Sequence, residues 1–213
     1  GGTVVARRTV GDDRPLIAEA IRSMAATCDV LVGTGGLGPT SDDLTRDAVA
    51  DVIDGGQTVV DSAALADVEA WCLRRSLPMS EARQRVAIRP PSATLVPNHH
   101  GTAPGLNFAV GEVQCWMLPG PPTELQPMVH EVVVPALAEH GVQPQASTEV
   151  LVAGMSEVQV ADRLGALLDR DHRPQVGIRV GRGLVRLMVT DVDGVVGATG
   201  VQSLAAVLRD RLA

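Results

Sequence analysis

The sequence contains no lysine, since all 18 of its basic residues are arginine. That removes an internal Schiff-base lysine, a Walker-type phosphate lysine and a Ser-Lys dyad from the available chemistry. Tyrosine is absent too, and the aromatic residues are only Trp71, Phe108 and Trp116. A stacking platform for single-stranded nucleic acid therefore lacks its parts, and the formal charge of −7 points the same way. The three cysteines, Cys28, Cys72 and Cys115, are 44 and 43 residues apart, with no CxxC and no Cys/His grouping. A reducing, cytoplasmic setting fits that usage. No apolar run approaches the roughly 18 residues of a membrane span, and the N-terminus lacks the charged-then-apolar layout of a signal peptide. We therefore expect neither a membrane nor a nucleic-acid partner. The first residue is Gly1 rather than Met, which we read as a start inside a longer chain.

What is present describes a globular protein. The 213 residues are 45% apolar and 20% charged, enough for one large or two small domains with a sizeable core. Val4 to Val10 reads as a strand. Gly11-Asp12-Asp13-Arg14-Pro15 then gives an N-cap acid with Pro in the first turn, opening a helix that carries Ile17, Ala20, Ile21 and Met24 on one face. Cys28 to Thr34 is a buried-type strand, followed by a glycine turn and a helix from about Asp43 with Ala48, Val49, Val52 and Ile53. This βαβα alternation predicts a parallel sheet. A helix from Ser62 to Arg75 and a strand at Thr94 to Val96 follow. Leu106 to Val110 and Val113 to Leu118, split by Gly111-Glu112, read as an antiparallel hairpin. The next helix, about Thr123 to Glu139, should tolerate Pro127 in its first turn and kink or break near Pro135.

We place a domain boundary near residue 145. Residues 1–145 carry 10 Arg against 17 acids, net −7, whereas residues 146–213 carry 8 against 8. The second domain reads as a small α+β unit. Its strands are Thr148 to Val152, Val176 to Val180 and Leu184 to Thr190, with a Gly181-Arg182-Gly183 hairpin tip and a last helix from Thr199 to Leu212. Between the first two strands, Ser156 and Gln159 form a capping box ahead of the apolar stripe Val160, Ala161, Leu164, Leu167 and Leu168.

Three loops carry possible chemistry. The first runs from Thr34 to Thr45, Thr-Gly-Gly-Leu-Gly-Pro-Thr-Ser-Asp-Asp-Leu-Thr, between a strand and a helix. Its outward N–H groups and the helix N-terminus suit a phosphate, and Asp42 and Asp43 suit Mg2+. With no lysine there, charge neutralisation falls to a metal, Arg46 or backbone dipoles. The plain alternative is a turn in which Ser41 or Asp42 merely caps the helix. The second loop is Asn98-His-His-Gly-Thr-Ala-Pro-Gly105. His99 and His100 are adjacent and on an extended segment point to opposite faces, which argues against a shared metal. The third, Leu118-Pro-Gly-Pro-Pro-Thr-Glu-Leu-Gln-Pro-Met128, is either a Pro-stiffened corner with Glu124 at a positive helix end or a wall of the same pocket. In the second case Glu124 is a metal ligand or general base. On one parallel sheet, all three loops meet at the carboxyl edge, where open α/β folds bind ligands.

In this order and spacing the three motifs resemble the N-terminal domain of the competence/damage-inducible CinA family, itself similar to the molybdopterin-binding domain of molybdenum-cofactor biosynthesis proteins. The resemblance covers most of residues 1–140, and residues 146–213 resemble the small α/β region that follows it. It implies an α/β fold, a three-layer mostly parallel sheet of molybdopterin-binding type, and a pyrophosphate hydrolase acting on ADP-ribose-like nucleotides with Mg2+ or another divalent metal. By matching motif positions, Asp42 and Asp43 are metal ligands and Asp43 and Glu124 catalytic. We take Gly35, Gly36, Gly38, Thr40, Thr45, Asn98, Gly101, Ala103, Gly105, Pro119 and Gly120 as substrate-binding candidates. The alternatives are a molybdopterin-binding protein or adenylyltransferase, against which Leu37 and Asp42 argue, and a nucleotide- or pterin-binding module without catalysis. Expected partners are a small-molecule nucleotide or pterin and further copies of the chain in a homo-oligomer.

Three departures from the family pattern stand out. An upstream strand and helix with a glycine-acid motif and a pocket Asn do not precede Gly1. A Lys-Gln pair appears here as Arg85-Val86. The C-terminal amidohydrolase domain is not in this sequence, and its activity is not assigned. From the first departure we expect a further strand and helix upstream, or a partner chain supplying that strand beside Val4 to Val10.

Overall fold

The computed structural model describes residues 2–181 and 183–212. They form two compact units, Val4–Leu137 and residues 138–212, the latter including residues 2–3.

The first unit begins with helix α1 (Arg14–Ala25), whose N-cap Asp13 accepts a hydrogen bond from the Leu16 N–H, with Pro15 in the first turn. Ile17, Ala18, Ala20, Ile21 and Ala25 are its buried residues. Strand β1 (Val30–Thr34) leads through the glycine turn into α2 (Thr45–Ile53), which starts two residues later than the sequence suggests. A two-residue ribbon, β2 (Val59–Val60) against β3 (Ile88–Arg89), frames α3 (Ser62–Arg74) and the single-turn α4 (Glu81–Arg85). Strands β4 (Thr94–Val96), β5 (Gly105–Val110) and β6 (Val113–Leu118) complete the sheet, with Gly111 at φ 62° in the β5–β6 turn.

The sheet order is β1-β6-β5-β4. The β1–β6 pair is parallel, and β5 runs against both β6 and β4. Hence β1, β6 and β4 run one way and β5 the other. The sheet is mixed, and the carboxyl ends of three of its strands lie along one edge.

Period-two alternation supplies two faces, and helices cover each, giving three layers. Leu31, Leu106, Phe108, Cys115 and Met117 pack with Ile17, Ile21, Ala48 and Val49 of α1 and α2. Val96, Trp116 and Leu118 pack on the other side with Met128 and Val133. Those two belong to the last helical run, which is α5 (Pro122–Met128), a wide π-turn at Val129–Val133, and α6 (Val134–Glu139). Pro135 does disturb the helix as its missing N–H requires, but as a wide turn just before it rather than a break. Pro127 lies one turn deeper than expected, in the helix interior.

One expected strand is absent. Residues 4–10 enter no ladder, Val4 and Val5 are 69% and 62% exposed, and only Val10 reaches the core. A strand needs a ladder partner, and none of the described strands pairs with residues 4–10; the segment's contacts are instead with α1, where Arg8 donates to Ser23 Oγ at 2.9 Å and approaches Glu19 at 3.9 Å.

The second unit is an antiparallel sheet of order β7-β9-β8, built from β7 (Ser147–Ala153), β8 (Gln175–Gly181) and β9 (Leu184–Thr190). Arg182, assigned by the sequence to the hairpin tip, lies outside the described residues. Helices α7 (Glu157–Leu164) and α8 (Gly197–Leu212) bury Val160, Leu164, Val201, Leu204 and Leu208 against Val150, Val152, Val185, Leu187 and Val189. Both halves of the Ser156–Gln159 capping box form. Among the described residues, no helix is long and apolar enough to cross a membrane.

Candidate functional site at the carboxyl edge of the first sheet

The parallel β1–β6 pairing sets the site. It places the turn after β1 beside the turn after β6, and the Gly35 N–H donates to Leu118 O at 2.9 Å. A Cβ on Gly120 would stand 3.5 Å from Gly35 Cα, so the two turns are in contact. Gly35 and Gly36 have φ of 93° and 69°, the left-handed region that favours glycine. Gly36 has a second reason to be glycine, because a Cβ there would fall 2.2 Å from Thr45 Oγ1. Its carbonyl accepts the Thr45 N–H at 3.0 Å, and Thr45 itself is buried, so Thr45 serves as the joint between turn and helix.

Leu37 plugs this loop into the core at 1% exposure. Beneath it, the buried Arg46 donates to Leu37 O at 2.5 Å. Burial pushes the Arg46 guanidinium down to about 10, opposed by the nearby Asp47 and Asp43 charges. The cation thus lies under the loop that the sequence reads as an anion cradle.

Asp43 does not cap the helix, and neither do Ser41 and Asp42. The cap position is Leu44, with no side-chain bond. Asp43 Oδ2 instead accepts from the Thr40 N–H at 2.8 Å and the Thr40 hydroxyl at 2.5 Å, folding the loop onto itself. Gly38 permits this, since a Cβ there would be 2.6 Å from Asp43 Oδ2. Burial would raise the Asp43 pKa, but the Thr40 bonds, the Gly38 backbone and the Arg46 charge outweigh it and hold the carboxyl below its ordinary value. Asp42 is exposed.

The second and third loops are joined side chain to side chain. Asn98 Nδ2 donates to Glu124 Oε2 at 2.6 Å and to Ala103 O at 2.9 Å, while Asn98 Oδ1 accepts the His100 N–H at 3.0 Å. A Cβ on Gly101 would fall 1.9 Å from Glu124 Oε2, so that residue too is excluded space. Ala103, Gly105 and Pro119 are buried in the supporting layer, Gly105 against Leu118, Met128 and the Met117 carbonyl.

Among the described residues no three His, Cys, Asp or Glu side chains form a ready metal cluster. Mg2+ takes one or two carboxylates, keeps several waters and completes its shell with substrate phosphate, and the carboxylates of this loop that would serve it are Asp42 and Asp43.

Next to this edge lies a cleft of about 890 Å3. Of the sequence-predicted residues, Asn98 and Gly101 line it, while Asp42, Asp43 and Glu124 do not. Its other wall is one that sequence reasoning missed, with Trp71, Arg74 and Arg75 at the end of the α3 run and Arg83 and Val86 from the α4 segment. The available signal was a local excess of arginine, Arg74, Arg75, Arg83 and Arg85 against three acids over residues 67–85, close to one of the two tryptophans, within residues 1–145 that are net −7. The α3 wall is tied down at its start, where the N-cap Asp61 accepts Ala64 N–H at 3.1 Å and Arg89 Nε at 2.9 Å. Arg85, standing where a Lys-Gln pair was expected, pairs with Asp47 at 3.3 Å, and Val86 is buried.

Known proteins share this arrangement of chain. The family model described as "Probable molybdopterin binding domain" matches residues 1–139. A "Putative competence-damage inducible protein" of Geobacillus sp. (strain WCH70) is 33% identical over 192 residues, 89% of this chain and 46% of its own. One of the same description from Symbiobacterium thermophilum is 35% identical over 208 residues, 95% of this chain and 49% of its own. The crystal structure of the protein CinA, of unknown function, from Thermoplasma acidophilum is 34% identical, with a TM-score of 0.53 over 58% of this chain and 72% of that one. The chain spans about half the length of the curated relatives it matches. With the glycine turn, the Asn98–Glu124 link and the mixed sheet in place, the chain belongs to the molybdopterin-binding-domain family, in its competence/damage-inducible CinA branch.

Proposed function

We propose that the first unit is a divalent-metal-dependent pyrophosphate hydrolase acting on ADP-ribose-like nucleotides. The observation that carries this reading is the pairing of a glycine turn with an aspartate held ionised beside it, Asp43 under Thr40 and Gly38, at the edge where three strands end. Backbone N–H groups of the turn other than those of Gly35, Gly38 and Thr40, which are committed to Leu118 O and Asp43, would donate to a diphosphate without any lysine. Asp42 and Asp43 would hold Mg2+, which supplies charge neutralisation on the phosphoryl oxygens and a more acidic water.

Asn98 orients the Glu124 carboxylate, leaving Oε1 for the proton of the attacking water. Water oxygen bonds to phosphorus as the bridging P–O bond breaks, giving AMP and a sugar phosphate. Thr40 keeps Asp43 in one rotamer through the cycle.

A second reading is favoured by one feature: both carboxylates are already hydrogen-bonded within the protein, as befits a nucleotide- or pterin-binding module without turnover. Incubation with Mg2+ and ADP-ribose, and separately with Mg2+, ATP and molybdopterin, separates the readings. AMP from the first supports hydrolysis. Adenylylated pterin from the second replaces it with nucleotidyl transfer, and saturable binding with neither product leaves a binding module. A cytoplasmic homo-oligomer is the setting we propose for any of them.

A further inference from the structure

Residues 1–145 hold 17 acidic residues against 10 arginines, yet the cleft of about 890 Å3 in the first unit presents Arg74, Arg75 and Arg83 together. Most other arginines of the unit are spent internally: Arg14 on Asp51, Arg85 on Asp47, Arg89 on Asp61, Arg8 on Glu19, and Arg46 on a carbonyl. Arg83 donates to the Pro78 carbonyl and so keeps its full charge. Arg75 lies over the Trp71 ring, its guanidinium carbon 4.4 Å from the centroid, which fixes the plane of the fork without neutralising it. The one carboxylate on this wall, Asp67, is about two helical turns from Arg74 and Arg75. The opposite wall supplies Asn98, His99 and His100.

We infer that the α3–α4 wall is an anion subsite that binds a phosphate group of a small-molecule ligand through Arg74, Arg75 and Arg83. Planar guanidinium forks bind phosphate oxygens in pairs, and three of them on one concave wall of an acidic unit select for a phosphorylated ligand. This deepens the function proposed above, placing a second phosphate-binding region beside the glycine turn, but its test does not depend on turnover.

Inorganic pyrophosphate, without divalent metal, is titrated into the protein by calorimetry and by fluorescence. Trp71 borders the arginines while Trp116 is 2% exposed, so the change in emission reports the cleft. The expected result is saturable binding with a Trp71 response, weakened at least about tenfold in Arg74→Gln/Arg75→Gln and unchanged in Arg179→Gln of the second unit. Both target residues are exposed, Arg74 at the last position of α3 and Arg75 as its C-cap, and an unchanged melting curve verifies the fold of the variant. Absence of saturable binding in the wild type, or equal binding by the double variant, overturns the subsite. Pyrophosphate binding that depends on these arginines, in a protein that yields no AMP, upholds the subsite and defeats the hydrolase reading alone.

Discussion

Each unit contains an aspartate that collects hydrogen bonds from its own loop, and the contrast between the two separates structure from site. Asp191, in the second unit, is 1% exposed and accepts from the N–H groups of Val195, Val196 and Gly197 at 3.1, 3.2 and 2.8 Å. It ties the loop after β9 to the start of α8. Asp43, in the first, is half-buried, draws both its bonds from Thr40 and holds a loop open to solvent beside two more loops. Burial with every bond directed inward marks a structural carboxylate. A carboxylate held ionised at a solvent-facing strand edge remains available to a ligand.

The comparison can be broken from several sides, beginning with the largest effect. Trp116→Ala should destabilise the first unit by about 3–5 kcal/mol by emptying the layer between sheet and α5, and Leu187→Ala should do the same to the second unit by about 2–5 kcal/mol. If the units melt separately, calorimetry shows each variant lowering one transition alone. Asp191→Ala strands three N–H groups and should cost about 2–3 kcal/mol, read by the same melt, with no effect on nucleotide binding. Gly101→Ala pushes a methyl into Glu124 and breaks its bond to Asn98; lost turnover at nearly unchanged stability is the expected result, measured by rate and melting together.

A pH effect follows from the Asp43 carboxyl, whose folded pKa lies below its unfolded value. Its contribution to stability is therefore present above the unfolded pKa and lost as pH falls through the folded one. Asp43→Asn should flatten that acid limb of the melting-temperature profile. The smallest effect belongs to the half-buried surface pair Arg14–Asp51, bonded at 2.6 Å in both arms but still reached by solvent, where Arg14→Ala should cost about 1 kcal/mol or less.

Local rules made much of this molecule legible. The capping box at Ser156, the acid cap ahead of Pro15, which proves to be Asp13, and the Gly111 hairpin each depend on a few neighbouring residues, and each formed. Val4–Val5 looked like a strand because apolar β-branched residues fit a sheet, but a strand needs a partner, and Arg8 binds the segment to α1 instead. Ser41 and Asp42 looked like caps on residue type alone, whereas the Gly38–Asp43 contact delayed the helix to Thr45. The Asn98–Glu124 bond joins residues 26 apart, and only sheet order brings them together. The arginine wall was illegible for a similar reason, because exposed charged residues at a helix end look like any solvated face until the fold sets another loop across a cleft from them.

The central claim is that Asp43, besides bracing its own loop, serves a ligand. The direct measurement is the rate of AMP release from ADP-ribose as Mg2+ is raised, for the wild type and for Asp43→Asn, with melting curves on both. The account predicts a Mg2+-dependent rate in the wild type, a loss of about a hundredfold or more in the variant, and two folded proteins. Turnover near the wild-type rate in Asp43→Asn, or failure of that variant to fold, would contradict it.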